Sequence, residues 1–282
     1  MPELPEVETV RRGLERQVSG VVLQRVEVLR SRAIAAPPDP ELFRLALEGS
    51  RVGQWQRRGK YLLAQLHHPD GSSAGKWGVH LRMTGQFLWL EQPTPACNHT
   101  RVRLYTGAGP ELRFVDTRSF GQMWWIPPGV ADAEVMTGLA RLGPEPLEAD
   151  FGAEHLARRL RGSLRPIKTA LLDQALVAGV GNIYADESLF AAGIAPFTPA
   201  GRLKPAQLSA LHQALVTVLR TSIGAGGTTF SDFRDLSGTN GNYGGQAWVY
   251  RRTGQPCRRC GTAIRRERLG GRSTHWCPTC QP

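Results

Sequence analysis

Near its C-terminal end the chain carries its tightest constraint, Cys257-x2-Cys260 and Cys277-x2-Cys280, two cysteine pairs separated by sixteen residues. Doubled C-x-x-C at that separation matches a two-knuckle tetrahedral zinc site. Disulfides are the alternative, but the charged, proline-containing N-terminus has no apolar signal region, so the chain is expected in the cytoplasm, where thiols stay reduced. Four thiolates close the coordination sphere. One structural Zn2+ is therefore expected, with no organic cofactor implied, and the metal would hold a small β-hairpin that could not otherwise bury a core. That hairpin presents Arg265, Arg266, Arg268 and Arg272, while Cys97, outside the pairs, is expected to be an inert thiol.

The arginines belong to a wider imbalance: thirty-five Lys and Arg against twenty-four Asp and Glu leave a net charge of +11. Eight arginines and one acid, Glu267, fall between Arg251 and Arg272, and His155 to Lys168 holds Arg158, Arg159, Arg161, Arg165 and Lys168 without an acid. Basic stretches are often only solvated faces, but two in one half of the chain favour phosphate contact. Nucleic acid is expected as the partner. No apolar run approaches the roughly 18 residues of a membrane span, so no membrane is involved.

At 282 residues, 41% apolar and 21% charged, the chain can form more than one ordinary domain. It opens with a predicted helix: Pro5 suits the first turn, Glu3, Glu6 and Glu8 complement the dipole, and Leu4, Val7, Val10, Leu14 and Val18 share one face. The segments VVLQRVEVL, RVGQWQRR, KYLLAQL, KWGVHL, QFLWL, RVRLY, ELRFV and QMWWI then predict an antiparallel sandwich or barrel to about residue 126. FGAEHLARRLRG, KTALLDQALVAG, IYADESLFAAG and PAQLSALHQALVTVLRTSI have helical periodicity. The expected fold is α+β and multidomain: a β-sandwich domain over 1–130, a linker over 131–150, a helical domain over 151–247, and a zinc finger over 248–282. Gly179, Gly181 and Asn182 lie between two helices, where backbone amides and the Asn182 side chain could bind phosphate or simply turn a corner. The half-glycine stretch 238–245 is either a connector or a mobile lid.

PELPEVET, QRRGKYLL (56–63), HLRMTG (80–85), DTRSFG (116–121), GVGNIYADESLFAAGI (179–194), GGTT (226–229) and the cysteine pairs, in this order along nearly the whole chain, resemble the formamidopyrimidine-DNA glycosylase family. The resemblance implies a bifunctional DNA glycosylase and AP lyase that excises oxidised purines, 8-oxoguanine and formamidopyrimidines, from double-stranded DNA and acts as a monomer. It also implies a plan of β-sandwich, helix-two-turn-helix and zinc finger. Pro2 would be the nucleophile after removal of Met1; a terminal secondary amine has a reference pKa near ~8 rather than the lysine value of ~10, so a sizeable fraction of it is unprotonated at neutral pH. By the same resemblance Glu3 is the acid or base beside the sugar, Lys60 assists β-elimination at the lesion phosphate, and Arg272 assists δ-elimination. Glu6 is expected to support the helix start and the lesion pocket. Met83, Arg118 and Phe120 match an intercalating set that fills the gap left by an extruded base. His99, Arg165, Lys168 and Asn182 match DNA-phosphate positions, and GGTT with the glycines after it match a loop over the damaged base. One departure is His99-Thr100-Arg101, where many relatives carry H-D-H. Two other functions fit part of the pattern: an endonuclease VIII-type glycosylase for oxidised pyrimidines, and a non-catalytic zinc-stabilised DNA-binding protein, which leaves Pro2 and Glu3 without a reason.

Overall fold

A computed structural model describes residues 1–107, 109–228, 236 and 241–282. The chain divides into two compact units, one formed by 1–140 with 226–241, the other by 141–225 with 242–282.

The first unit opens with helix α1 (Leu4–Val18), whose five apolar positions Leu4, Val7, Val10, Leu14 and Val18 are all at most 1% exposed. Nine strands follow: β1 (Leu23–Val28), β2 (Ile34–Ala36), β3 (Arg51–Arg58), β4 (Tyr61–His67), β5 (Ser73–His80), β6 (Gly85–Leu90), β7 (Thr100–Thr106), β8 (Glu111–Asp116) and β9 (Gln122–Ile126). They form a four-stranded sheet, β1-β7-β8-β6, and a five-stranded sheet, β2-β9-β5-β4-β3. Alternation explains the layering: Val52, Trp55, Trp77, Phe87, Val102, Leu104, Leu112 and Phe114 join the α1 face in one core cluster. The eight expected segments are strands. Strand β2 is an addition, and it pairs parallel to β9 in an otherwise antiparallel sheet. Helix α2 (Pro40–Leu47) is a second addition, capped by the Asp39 side chain, which accepts from the Glu41 N–H at 2.9 Å. A single turn, α3 (Asp132–Val135), lies in the stretch expected as a linker.

The second unit contains α4 (Ala153–Leu160), α5 (Ile167–Leu171), α6 (Asn182–Ala191), α7 (Pro205–Gly224) and a hairpin of β10 (Arg265–Leu269) and β11 (Arg272–Trp276). The expected helix over 168–179 stops at Leu171, for a reason specific to two side chains. Asp173 accepts from the Ala175 N–H at 3.0 Å, and Gln174 accepts from the Gly179 N–H at 2.9 Å while donating to the Val180 carbonyl at 2.8 Å. Asp and Gln thus draw the backbone into a turn, completed by Gly179 at φ 83°. Helix α6 is buried on nearly all sides, yet carries Asp186 and Glu187, both at most 1% exposed.

Among the described residues, no helix is long and apolar enough to cross a membrane.

Candidate nucleic-acid interface and zinc site

Pro2 and Glu3 are buried at the start of α1. The Glu6 carboxylate fixes this start: Oε2 accepts from the Glu3 N–H at 2.9 Å, and Oε1 accepts from the N–H and hydroxyl of Thr228 at 2.8 and 3.0 Å. Glu6 is 2% exposed, so its oxygens are taken up by backbone and hydroxyl donors rather than offered to solvent. Lys60 occupies the β3–β4 turn and is also buried. The turn is held from both sides, because the Arg57 guanidinium donates to the Gly59 carbonyl at 3.0 Å and pairs with Glu8 of α1 at 3.3 Å. Glu8 is half-buried, which alone would raise its pKa, but Arg11, Arg12 and Arg57 hold its carboxyl below the usual range.

Met83, Arg118 and Phe120 lie on two neighbouring turns of the same unit. Phe120 is 42% exposed, with the Arg118 guanidinium 5.1 Å from its ring centroid and that of Arg32 at 6.0 Å. A core phenylalanine would be covered, and this one stands at a loop tip. A cleft of about 390 Å³ beside it is lined by Met1, Arg32, Arg82, Met83, Ser119, Phe120 and Gln122. His80 supports the nearer wall: its Nδ1 accepts from the Arg82 N–H at 2.9 Å and its ring meets Tyr61 edge-on at 4.5 Å. Local sequence does not single out Arg32, whose place over the Phe120 ring joins residues distant along the chain. His99 is exposed. Arg101 is buried and donates to the carbonyls of Asp116 at 2.8 Å and Asn98 at 3.0 Å. It clamps the end of β8 to the turn that precedes β7.

In the second unit, Arg165 is half-exposed and paired with Asp173 at 3.1 Å. Lys168 departs from the expectation of a DNA-phosphate contact. It is 0% exposed, donates to the Ser273 carbonyl at 2.7 Å and the Thr274 hydroxyl at 2.8 Å, and lies 2.7 Å from Asp186 Oδ1. A buried ammonium already matched to a carboxylate cannot meet a phosphate in this arrangement; it anchors β11 instead. Asn182 acts on the same strand, its side-chain N–H donating to the Ser273 carbonyl at 2.9 Å. Asp186 Oδ2 accepts from the His275 backbone N–H at 2.9 Å. Two acids on an almost wholly buried helix are the sequence signal that could have marked Asp186 and Glu187. Arg265, Arg266, Arg268 and Arg272 are all exposed on the hairpin.

The sulfurs of Cys257, Cys260, Cys277 and Cys280 lie within 4.8 Å of one another, with closest pairs at 3.5 and 3.9 Å. Tetrahedral zinc with Zn–S near 2.3 Å requires sulfurs about 3.8 Å apart, so the four thiols fit the metal. Bound there, zinc would supply a structural crosslink and leave no open coordination position. The segment 226–245, which holds GGTT and the glycine-rich stretch expected as a connector or a lid, falls mostly outside the described residues; of GGTT, Thr229 is outside.

Three family models match in sequence order: the formamidopyrimidine-DNA glycosylase N-terminal domain over residues 1–123, that family's H2TH domain over 142–234, and a zinc finger found in FPG and IleRS over 254–282. The chain is 68% identical to the formamidopyrimidine-DNA glycosylase of Parasynechococcus marenigrum, with all of both chains covered. It is 63% identical to that of a Synechococcus strain, covering 100% of this chain and 99% of the relative. Among solved structures, Thermus thermophilus MutM (FPG) matches with TM-score 0.86 at 41% identity, covering 99% of this chain and 98% of that one. A Lactococcus lactis FPG variant in complex with Fapy-dG-containing DNA matches with TM-score 0.90 at 34% identity over 99% of both chains. The wild-type Lactococcus protein in complex with DNA containing an oxidised pyrimidine matches with TM-score 0.88 at 34% identity, again over 99% of both chains.

Proposed function

The chain belongs to the formamidopyrimidine-DNA glycosylase family of damaged-base DNA repair enzymes, and we propose that it excises oxidised purines from double-stranded DNA through Pro2 and then cleaves the strand. The single observation that carries this reading is the buried Pro2-Glu3 start of α1, built on Glu6, within a chain that matches the family from end to end. Once Met1 is removed, the Pro2 nitrogen attacks C1′ of the damaged nucleoside. The C1′–N bond breaks, and its electron pair leaves with the base, which takes up the proton that the attacking amine loses. Glu3 protonates the sugar ring oxygen as the ring opens. The product is an iminium that has no N–H to lose, so it acts as an electron sink and makes the C2′ proton acidic. Loss of that proton expels the 3′ phosphate, with Lys60 at the lesion phosphate, and the second elimination expels the 5′ phosphate with help from Arg272. Met83, Arg118 and Phe120 fill the gap, His99, Arg165 and the α6 start carrying Asn182 contact phosphates, and one zinc on the four cysteines holds the arginine hairpin. The enzyme works as a cytoplasmic monomer on nucleoid DNA and uses no organic cofactor.

Borohydride trapping tests the chemistry. Reduction of the iminium should leave a covalent adduct between damaged DNA and the N-terminal residue, and any N-terminal extension should abolish it. A non-catalytic DNA-binding protein would give no adduct. Competition between 8-oxoguanine and oxidised-pyrimidine duplexes ranks the substrates; faster cleavage of the pyrimidine lesion would favour the endonuclease VIII-type assignment.

A further inference from the structure

We infer that Asp116 and Thr84 form one positioning unit that sets Met83, Arg118 and Phe120 in mutual register before DNA is met; this deepens the proposed function and rests on the reading of those three as the groups that fill the gap. Asp116 ends β8 with no exposed surface, paired across the sheet with Gly85 at the start of β6. Its Oδ1 accepts from the Thr84 hydroxyl and, at 3.1 Å, from the Arg118 N–H, and its Oδ2 accepts from the Gly121 N–H at 2.7 Å. The Thr84 oxygen also accepts from the Arg118 N–H, at 3.1 Å. One carboxylate and one hydroxyl thus join the turn that carries Met83 to the turn that carries Arg118 and Phe120.

Both turns need such a tie. Arg82, next to Met83, has φ 54°, and Ser119, between Arg118 and Phe120, has φ 53°. Left-handed conformations at non-glycine residues persist only where surrounding contacts over-determine them. The flanking glycines let the turns seat closely: a Cβ on Gly121 would lie 2.6 Å from the Phe114 ring, and one on Gly85 would lie 2.8 Å from it. A carboxylate suits the centre because every hydrogen-bond partner named here is a donor, and two of them are backbone N–H groups that cannot turn away.

A fold-supporting role and a positioning role predict different things. Loss of fold support lowers every activity together. Loss of register lowers only work that requires a gap to be filled, and an abasic site in single-stranded DNA has no opposite base and no gap. The experiment is single-turnover cleavage of an abasic site in duplex and in single-stranded DNA by the wild-type full-length protein, Thr84→Val, Asp116→Asn and Phe120→Ala, with thermal unfolding of each. Thr84→Val keeps shape and loses the hydroxyl; it should lower the duplex rate about tenfold, the scale of one hydrogen bond to a charged group, and leave the single-strand rate within about twofold. Asp116→Asn should lower the duplex-to-single-strand ratio further, because its amide N–H faces a backbone N–H. Equal falls on both substrates, or an unchanged ratio in Thr84→Val while Phe120→Ala lowers it, would overturn the positioning role. An unchanged ratio in Phe120→Ala would instead overturn the gap-filling reading, and the inference with it.

Discussion

The Glu187 carboxylate, in the middle of α6 and without exposed surface, accepts the backbone N–H of Val249 at 3.0 Å. The same group accepts from Trp248 at 2.8 Å and from Tyr250 at 2.9 Å, so one side chain gathers three consecutive amides at the entrance to the zinc finger. Asp186, one residue earlier, holds β11 through the His275 N–H. Helix α6 is therefore the post to which the entrance of the metal module and its second strand are tied. The cost is visible in Glu187 itself, whose pKa burial pushes up despite those three donors.

Replacing Glu187 with glutamine should destabilise the second unit by about 1–3 kcal/mol, because an amide keeps one acceptor oxygen and turns N–H groups toward backbone donors. Denaturant midpoints measure the loss. Zinc release to a chelator should quicken in parallel, and unchanged release would mean that the metal module is held independently of α6.

His80 makes stability depend on pH in a defined direction. Burial first, then the positive charges of Arg82 and Lys60, push its imidazole down to about 3. The unfolded chain takes up a proton at this histidine near the reference value of ~6.5, whereas the folded chain does not until the pH approaches 3. The contribution of His80 is thus complete above ~6.5 and declines as the pH falls below it, by about 1.4 kcal/mol per pH unit for one proton. Urea titrations at several pH values between about 6.5 and 5 should show a steeper loss for the wild type than for His80→Gln. Equal slopes would mean that His80 is protonated in the fold.

Much of this architecture is legible in the order of residues, and what is not has identifiable causes. The face of α1 and eight strands follow from 3.6- and 2-residue periods, which persist because each element buries one face. Strand β2 is too short, at three residues, for a period to register. Helix α2 carries a readable Asp39-Pro40 start, hidden by the strand-rich texture around it. The cysteine ligands are legible because metal coordination demands a spacing. Lys168 is not, since its buried partners Asp186 and Ser273 lie 18 and 105 residues along the chain, and a basic run looks the same whether its lysine faces phosphate or a carboxylate.

If the exposed arginines on β10 and β11 contact DNA as proposed, the metal should have a measurable effect on DNA affinity. With roughly five to eight phosphates contacted, the logarithm of the binding constant should fall with the logarithm of salt by about 0.9 per phosphate. Chelating the zinc should remove most of the affinity and reduce that slope, because it releases the hairpin without touching the Pro2 end of α1. Binding that survives verified metal loss with its slope intact would show that the hairpin is not a principal contact.

Arg118 should decide which base may stand opposite the lesion. It is exposed, and its guanidinium lies over Phe120 at 5.1 Å, so charge and wedge share one loop tip. If that guanidinium enters the space of the extruded base, it meets the estranged partner with donors alone. Cytosine answers with two acceptors, O2 and N3, whereas adenine offers N1 beside an amino group that faces the cation unfavourably. A lesion opposite cytosine should therefore be cut faster than one opposite adenine. Arg118→Ala should slow the cytosine duplex and shrink the cytosine-to-adenine rate ratio by about 1–3 kcal/mol, the range of one good base-edge contact. Single-turnover cleavage of the two duplexes by both proteins gives the ratio directly. A ratio unchanged by the substitution would assign selectivity to Met83, Phe120 or the stiffness of the duplex, with Arg118 serving as a plug that reads nothing.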